Sequence, residues 1–154
     1  IAEEHGVILA LQNHEPVIRH HKDIIDMVRE VDSEYLKCCL DAPLLTEHSD
    51  EYVRQAALEV GDLQVLSHFG GEFTRDGKGK AVMVPIRGRE QDPLPNYPAF
   101  IRAMKEIGYD GYINYELCHP VLNEQHEHAG LELVDHYVEC AGEYMRNLIA
   151  EVGV

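Results

Sequence analysis

Side chains that can bind a metal ion or transfer a proton follow four short apolar segments of this sequence. Each segment has the length and composition of a buried β-strand. Parallel α/β sheets and barrels bind ligands at the carboxyl ends of their strands, so residues distant in sequence can meet there. We therefore expect an enzyme-like site. The segments and the residues after them are Val7–Leu11 with Gln12, Leu36–Leu40 with Asp41, Leu63–Ser67 with His68, and Tyr112–Tyr115 with Glu116.

Each of these side chains also has a purely structural interpretation. Asp41 can cap a helix. His68 can be a hydrogen-bonded core histidine, and Glu116 can pair with a basic neighbour. Their positions at the ends of successive strands favour a shared site over three separate structural roles.

Segments of helical periodicity lie between the apolar segments, which predicts four βα units in one α/β domain over residues 1–154. Gly70–Asp92, rich in glycine and charge, is predicted to be a functional or mobile loop. Four βα units are half of a TIM (βα)₈ barrel. The predicted helices are His20–Val31, Glu51–Val60, Ala99–Ile107 and roughly Leu131–Glu151.

The first residues, Ile1–His5 followed by Gly6, have the pattern of a helix end, so we expect the chain to begin inside an element. Two explanations stay open. The chain is a piece of a longer protein, or it is a half-barrel completed by a second copy that pairs with its open strand edge.

Charge and cysteine content limit the environment and partners of the chain. Its 13 basic and 28 acidic residues give a net charge of −15, which opposes nucleic-acid binding. No membrane segment or secretion signal is evident, so we expect a soluble, cytoplasmic protein. The open strand edge of a half-barrel adds the expectation of a homo-oligomer. Cys38 and Cys39 are predicted to be small, buried, reduced residues on opposite faces of a strand. Cys118, two residues after Glu116, is a weaker pocket candidate.

Four motifs occur in order along nearly the whole chain: Gly6-Val7-Ile8-Leu9-Ala10-Leu11-Gln12-Asn13-His14, Cys39-Leu40-Asp41, Leu66-Ser67-His68-Phe69, and Ile107-Gly108-Tyr109-Asp110-Gly111-Tyr112-Ile113-Asn114-Tyr115-Glu116. They resemble the second half of the sugar phosphate isomerase/epimerase family, the xylose-isomerase-like TIM barrel group. That group includes ketose 3-epimerases, inosose dehydratases and, more remotely, endonuclease IV.

The resemblance implies a divalent metal ion held by a glutamate, an aspartate, a histidine and a second glutamate at the ends of strands five to eight. The last three match Asp41, His68 and Glu116, and Gln12 stands where the family has its first glutamate. Carboxylates and an imidazole suit Mn²⁺, Mg²⁺, Co²⁺ or Zn²⁺. The implied activity is isomerisation or epimerisation of a small sugar, ketose or polyol through an enediolate-type intermediate.

Gln12 departs from the family pattern in a way that affects chemistry. Both family glutamates act as acid and base in the epimerases, whereas an amide can coordinate through oxygen but cannot accept a proton. A one-base reaction with Glu116 as the base remains open, which includes isomerisation, dehydration and retro-aldol cleavage. His14 is the candidate substitute acid/base; its alternative is a loop histidine bonded to backbone.

Three further residues are candidates for substrate binding. Arg75 matches the position of a substrate-binding arginine in the ketose epimerases, and its forked donor group can clamp a sugar oxygen or carboxylate. Glu72 and His119 are expected to line the mouth of the site. Two other polar clusters are predicted to be solvated, namely His126-Glu127-His128 and His20-His21.

Two functional classes therefore stay open. Asp41, His68 and Glu116 favour a metal-dependent isomerase, epimerase or related lyase, whereas Gln12 favours a non-catalytic sugar-binding module. An endonuclease IV-like role ranks third, because that chemistry uses three zinc ions and the acidic charge opposes DNA binding.

Overall fold

A computed structural model describes residues 1–153, and Val154 lies outside the described residues. The chain divides into two compact units. The first unit comprises Ile1–Phe69 and Pro95–Asn114, and the second comprises Gly70–Leu94 and the chain from Tyr115 onward. The single domain expected over residues 1–154 stays a prediction.

Strands and helices alternate along the described residues, as the periodicity predicts. The predicted strands and longer helices are all present, with ends shifted by one or two residues. In chain order the elements are α1 (Ala2–His5), β1 (Leu9–Gln12), α2 (His21–Val31), β2 (Leu36–Cys39), α3 (Asp50–Val60), β3 (Gln64–Phe69), β4 (Glu72–Arg75), β5 (Ala81–Val84), α4 (Tyr97–Glu106), β6 (Tyr112–Tyr115) and α5 (Leu131–Val152), with 3₁₀ turns at Ala42–Leu44 and Gly61–Leu63.

Side-chain caps fix where the helices of the first unit begin. Ser49 accepts a hydrogen bond from the backbone N–H of Tyr52 at the start of α3, and Asn96 accepts one from Ala99 at the start of α4. These bonds satisfy backbone donors that a helix N-terminus leaves free. Helix α1 ends at Gly6, whose φ of 63° is left-handed, as its glycine predicts.

The main sheet has the strand order β1-β2-β3-β6. Strands β1 and β2 pair in parallel, and so do β2 and β3. The register between β2 and β3 shifts at Cys38/Cys39. Parallel pairing brings the residues that end β1, β2 and β3 to the same edge of the sheet.

The core of the first unit consists of apolar side chains from the sheet and from the inner faces of α2, α3 and α4. Phe69 of β3 and Tyr97 of α4 meet edge to face, with ring centroids 6.1 Å apart. Cys38 and Cys39 are buried and form no disulfide bond within the described residues, as predicted. Fully buried members include Ile24, Leu40, Val53, Val60, Phe100 and Ile101.

The second unit contains a β-hairpin and the long helix α5. The prediction that Gly70–Asp92 is a loop is wrong in part, because β4 and β5 pair antiparallel within it. The connecting turn is built on Asp76, whose carboxylate accepts hydrogen bonds from the backbone N–H groups of Lys78 and Lys80. Helix α5 packs on the hairpin through Tyr144, which lies 5.1 Å from Phe73 between ring centroids. None of the described helices is long and apolar enough to cross a membrane.

Candidate functional site

Asp41 is the centre of a polar cluster at the carboxyl edge of the main sheet. It follows β2 and is only 1% exposed. Its backbone is fixed by the side chain of Asn13, which accepts from Asp41 N at 2.8 Å and donates to Asp41 O at 3.3 Å. Asp41 precedes a 3₁₀ turn, but its side chain makes no capping hydrogen bond there. Its carboxylate is therefore available to other side chains.

The structure brings three of the four predicted metal ligands together. Gln12 Nε2, at the end of β1, donates to Asp41 Oδ2 at 2.6 Å. The backbone N–H of His68, in β3, donates to Asp41 Oδ1 at 2.6 Å, and His68 Nδ1 lies 3.1 Å from Oδ2. Gln12 Nε2 and His68 Nδ1 are 3.5 Å apart. Metal binding by these residues stays a prediction.

Cys39 is a fourth member of this cluster that the sequence interpretation assigned to the core. Its thiol donates to Asp41 Oδ1 at 3.3 Å, and its sulfur lies 3.5 Å from His68 Nδ1. Residues two apart in an extended chain share a face. The spacing of Cys39 and Asp41 was therefore a signal that could have placed the thiol in the site.

The donor set of this cluster fits a divalent metal ion. Ligand atoms of Cys39, Asp41 and His68 all lie within 4.8 Å of one another. Thiolate, carboxylate and imidazole are all metal ligands in proteins, and the buried carboxylate would neutralise part of the charge of a cation. The carbonyl oxygen of Gln12 can join them if its amide turns, because it is a neutral oxygen donor.

Tyr109 lies near this centre on the loop before β6. Burial raises its pKa to about 12, and the nearby carboxylate of Asp41 acts in the same direction. Its hydroxyl donates to the carbonyl of Tyr112 at 2.6 Å. Tyr109 is therefore a neutral hydrogen-bond donor rather than a proton acceptor at neutral pH.

Glu116 belongs to the second unit and follows β6. Its side chain is exposed. Its predicted roles as metal ligand and catalytic base stay predictions.

Glu72 and His119, predicted to bind substrate, meet inside the second unit. Glu72 is 2% exposed, and its Oε1 lies 3.8 Å from His119 Nε2. Glu72 Oε1 and both ring nitrogens of His119 make no hydrogen bond within the described residues. Burial raises the pKa of Glu72 against the opposing effect of the Arg87 backbone N–H, and burial lowers the pKa of His119. Both groups are therefore biased towards their neutral forms.

Glu72 also lines a cavity of about 430 Å³ in the second unit. Arg87, Glu90 and Tyr137 provide further polar groups around it. A volume of this order is enough for a small polar ligand, since ligand pockets generally begin at about 300 Å³.

Arg75 and His14 have partners other than a substrate in this structure. The guanidinium of Arg75 pairs with Glu143 of α5 at 2.8 Å and donates to the Gly79 carbonyl at 3.0 Å. His14 is exposed, and its Nδ1 lies 2.6 Å from the Glu15 carbonyl oxygen. Their predicted roles in binding and catalysis stay predictions.

The prediction that His20 and His21 are both solvated is wrong for His21. This ring is 3% exposed, and its nitrogens lie 3.2 Å from Tyr52 Oη and 2.7 Å from Glu59 Oε2. The partners are on α3, far along the chain, so a local pattern could not reveal them. The other predicted solvated cluster, His126-Glu127-His128, is exposed.

Comparisons with known proteins agree with this architecture. A family model described as Xylose isomerase-like TIM barrel matches residues 1–136. The chain therefore belongs to the xylose isomerase-like TIM barrel family. No curated protein matches the sequence.

Solved structures of sugar epimerases share its fold. A D-psicose 3-epimerase crystallised in the presence of D-fructose aligns with a TM-score of 0.68 and 17% identity, covering 96% of this chain and 51% of that chain. The D-psicose 3-epimerase with D-tagatose from Clostridium cellulolyticum H10 aligns with a TM-score of 0.68 and 19% identity, covering 96% of this chain and 51% of that chain. An L-ribulose 3-epimerase aligns with a TM-score of 0.66 and 14% identity, covering 98% of this chain and 50% of that chain. The chain thus spans about half the length of these proteins, and at these identities the likeness concerns the fold alone.

Proposed function

We propose that this chain supplies the metal centre of a divalent-metal-dependent isomerase or epimerase acting on a small sugar, ketose or polyol. The observation that carries the proposal is the meeting of Gln12, Asp41 and His68 at the ends of three adjacent strands. Membership of the xylose isomerase-like family supports the same class of reaction.

The residues of the chain have distinct parts in this proposal. Gln12, Asp41 and His68 would hold the ion, with Glu116 as the further ligand carried over from the family resemblance. When bound, a divalent ion polarises a substrate carbonyl and so acidifies the adjacent C–H group. Glu116 is the proposed base that takes this proton, because a carboxylate can accept one and the amide of Gln12 cannot. A one-base transfer, as in aldose–ketose isomerisation, follows from that asymmetry.

The buried groups of the second unit are the proposed contacts for the substrate. Burial favours the protonated form of Glu72, which can donate a hydrogen bond as well as accept one, and the neutral form of the His119 ring, which can also do both. Such pairs suit hydroxyl groups, which also donate and accept. Arg75 is retained as a proposed ligand for a sugar oxygen, in exchange for its contact with Glu143.

A non-catalytic sugar-binding module is the second candidate. The observation that favours it is Gln12 itself, whose amide donates to Asp41 and, unlike a glutamate, cannot accept a proton. The two candidates differ in turnover, not in the binding of sugars.

Calorimetric titration with Mn²⁺ of the chelator-stripped chain tests the metal centre. We expect stoichiometric binding by the wild type and none by Asp41→Ala, because the variant loses the central carboxylate. Asp62→Ala is the matched control, since Asp62 is an exposed aspartate of the same unit. Circular dichroism checks that Asp41→Ala is folded.

The titration has two informative outcomes. Equal binding by Asp41→Ala and the wild type would show that the metal site lies elsewhere. If Asp41 is required, ketoses and inositol derivatives should be screened for exchange of a carbon-bound proton with deuterated solvent. Sugar binding with no exchange and no product would select the non-catalytic candidate.

We further propose that copies of the chain associate through the open edge of β1. This strand lies at one end of the described sheet. Its neighbourhood exposes apolar side chains, with Val7, Ile8 and Leu9 between 51% and 53% exposed. Strand edges of this kind pair readily with a further strand.

A further inference from the structure

The thiol of Cys39 lies against both of the best-placed ligands of the proposed metal centre. Its sulfur is 3.3 Å from Asp41 Oδ1 and 3.5 Å from His68 Nδ1. Cys39 is 1% exposed, so its position is fixed by packing and not by a flexible surface loop. The family pattern of two glutamates, an aspartate and a histidine contains no cysteine.

The pairwise distances between these groups are close to those between ligands of one tetrahedral ion. With metal bonds of about 2.3 Å to sulfur and about 2.0–2.1 Å to nitrogen or oxygen, neighbouring tetrahedral ligands lie roughly 3.3–3.6 Å apart. The sulfur-to-oxygen and sulfur-to-nitrogen distances of 3.3 and 3.5 Å fall in this range. The distance between His68 Nδ1 and Asp41 Oδ2, 3.1 Å, is slightly shorter. These distances involve different oxygens of the Asp41 carboxylate, Oδ1 for the sulfur and Oδ2 for the ring nitrogen. A single ion would therefore replace the hydrogen bonds between these atoms after the carboxylate turns one oxygen towards both partners.

We propose that Cys39 is a metal ligand, so that this centre is a Cys39–Asp41–His68 site that selects Zn²⁺ or Co²⁺ over Mg²⁺ and Mn²⁺. The inference deepens the proposed function and rests on it. On loading, the sulfur–metal bond replaces the S–H bond, and the proton leaves to solvent.

The physical basis of the selectivity is the softness of sulfur. Thiolate binds Zn²⁺ strongly, whereas Mg²⁺ and Mn²⁺ prefer carboxylate, carbonyl and water oxygens. Three protein ligands with a fourth position open is also the usual arrangement of a catalytic zinc site. The fourth position is left to one of the other proposed ligands, Gln12 Oε1 or Glu116, or to a substrate oxygen. Replacing the family glutamate by Gln12 then costs the centre less metal affinity, because the thiolate already supplies a second negative charge.

Titration of the chelator-stripped full chain with Co²⁺, followed by absorption spectroscopy in a reducing buffer, tests the proposal. Cobalt bound to a thiolate shows an intense near-ultraviolet charge-transfer band that oxygen and nitrogen ligands do not give. Three serine variants are compared with the wild type: Cys39→Ser, Cys38→Ser and Cys118→Ser. Cys38 controls for a buried serine in the same strand, and Cys118 controls for cobalt binding at an exposed thiol.

We expect the band in the wild type and in both controls, and its loss in Cys39→Ser. In competition titrations, Zn²⁺ affinity should fall by more than about 100-fold in Cys39→Ser, because losing even an outer partner of a metal ligand costs roughly 10–100-fold. The affinity of Cys39→Ser for Mn²⁺ should change far less. This variant should therefore prefer Zn²⁺ over Mn²⁺ less strongly than the wild type does.

Two results would overturn the inference, and they differ in what they say of the proposed function. Stoichiometric Co²⁺ binding by the wild type without a charge-transfer band would exclude Cys39 as a ligand while leaving the metal centre intact. No Co²⁺ binding by the wild type would remove the metal centre as well. Both results come from the wild type, so they do not depend on whether Cys39→Ser folds.

Discussion

Gln12 stabilises the buried carboxylate of Asp41 as well as departing from the chemistry of the family. Its amide donates a 2.6 Å hydrogen bond to Asp41, where a glutamate would bring a second carboxylate. A buried carboxylate needs donors around it, because leaving a charge without them is costly. Gln12, the backbone of His68 and Cys39 supply those donors in the absence of an ion.

Gln12→Glu should therefore lower the free energy of unfolding of the metal-free protein and raise the affinity of the centre for a metal ion. In the metal-free protein we expect the free energy of unfolding to fall by roughly 1.5–3 kcal/mol, the range for losing a hydrogen bond to a charged group. With Mn²⁺ or Zn²⁺ in excess, the variant should be stabilised by the ion more than the wild type is, since it offers an additional anionic ligand. Urea unfolding with and without metal measures both effects.

Gln55→Glu is the matched control. Gln55 also donates its amide to a carboxylate, that of Glu59 at 2.9 Å, but on the exposed surface of α3. Solvent screens the new repulsion there, so we expect a loss of about 0.5 kcal/mol or less and no response to metal. A metal-free Gln12→Glu protein as stable as the wild type would contradict the importance of the amide donor.

The sequence predicted most of this centre because strand-end position is a local signal. Gln12, Asp41 and His68 each follow or end an apolar segment, and parallel pairing converts that position into proximity. Cys39 was missed because a buried cysteine in a strand is usually a packing residue. Sulfur-to-ligand distances, which only the fold supplies, distinguish the two roles.

Between helices α2 and α3, His21 is the main polar link. Its ring lies between Tyr52 and Glu59 of α3, and neighbouring Lys22 approaches Glu59 at 3.4 Å. Burial lowers the pKa of His21, and His20 and Lys22 act in the same direction, against the opposing influence of Glu59. The His21 ring that links the two helices is therefore more readily neutral in the folded protein than it is in water.

This shift predicts that acid weakens the packing of α2 against α3. Below about pH 6.5 the unfolded chain binds a proton at His21 that the folded chain resists, so stability falls as the pH decreases through this window. The slope is at most about 1.4 kcal/mol per pH unit for one such group. Between about pH 7.5 and about pH 5, His21→Gln should lose less stability than the wild type.

Urea unfolding at both pH values gives the comparison. His48 and His119, whose pKa values burial also lowers, are common to both proteins and cancel in the difference. His5→Gln, at an exposed position, should keep the wild-type pH response. An identical pH response in His21→Gln and the wild type would show that His21 is not the group responsible.

Some helices and strands were predicted accurately from the sequence and others were missed. Long periodic segments such as α5 were located to within a residue. The β4–β5 hairpin was missed because its short strands lie among glycines and charged residues. The partners of His21 are 31 and 38 residues away, which no local pattern encodes.

For the molecule as a whole, the open edge of β1 and the strong acidic charge act against each other. An unpaired strand edge favours association, while a net charge of −15 opposes the approach of a second copy. Salt shortens the range of that repulsion to about 8 Å at 0.15 M ionic strength. Association through β1 should therefore strengthen as salt is added.

Light scattering across a salt series checks this expectation. Leu9→Lys should reduce the average mass, because a charged residue on an edge strand resists pairing. Val31→Lys, at an exposed valine outside the sheet, is the control and should behave as the wild type. A monomer mass for the wild type at every salt concentration would rule out association through this edge.

The exposed edge of β1 also bears on how the protein can be handled. A run of apolar residues beside unpaired backbone groups is the kind of segment from which cross-β fibrils elongate. Here Val7, Ile8 and Leu9 are exposed apolar residues at and just before the start of β1, and the acidic surface repels a second copy. The net charge of the chain is close to zero near its isoelectric point of about 4.9, so the repulsion between copies disappears there. We therefore expect fibril formation to be favoured when the protein is purified or stored at acidic pH.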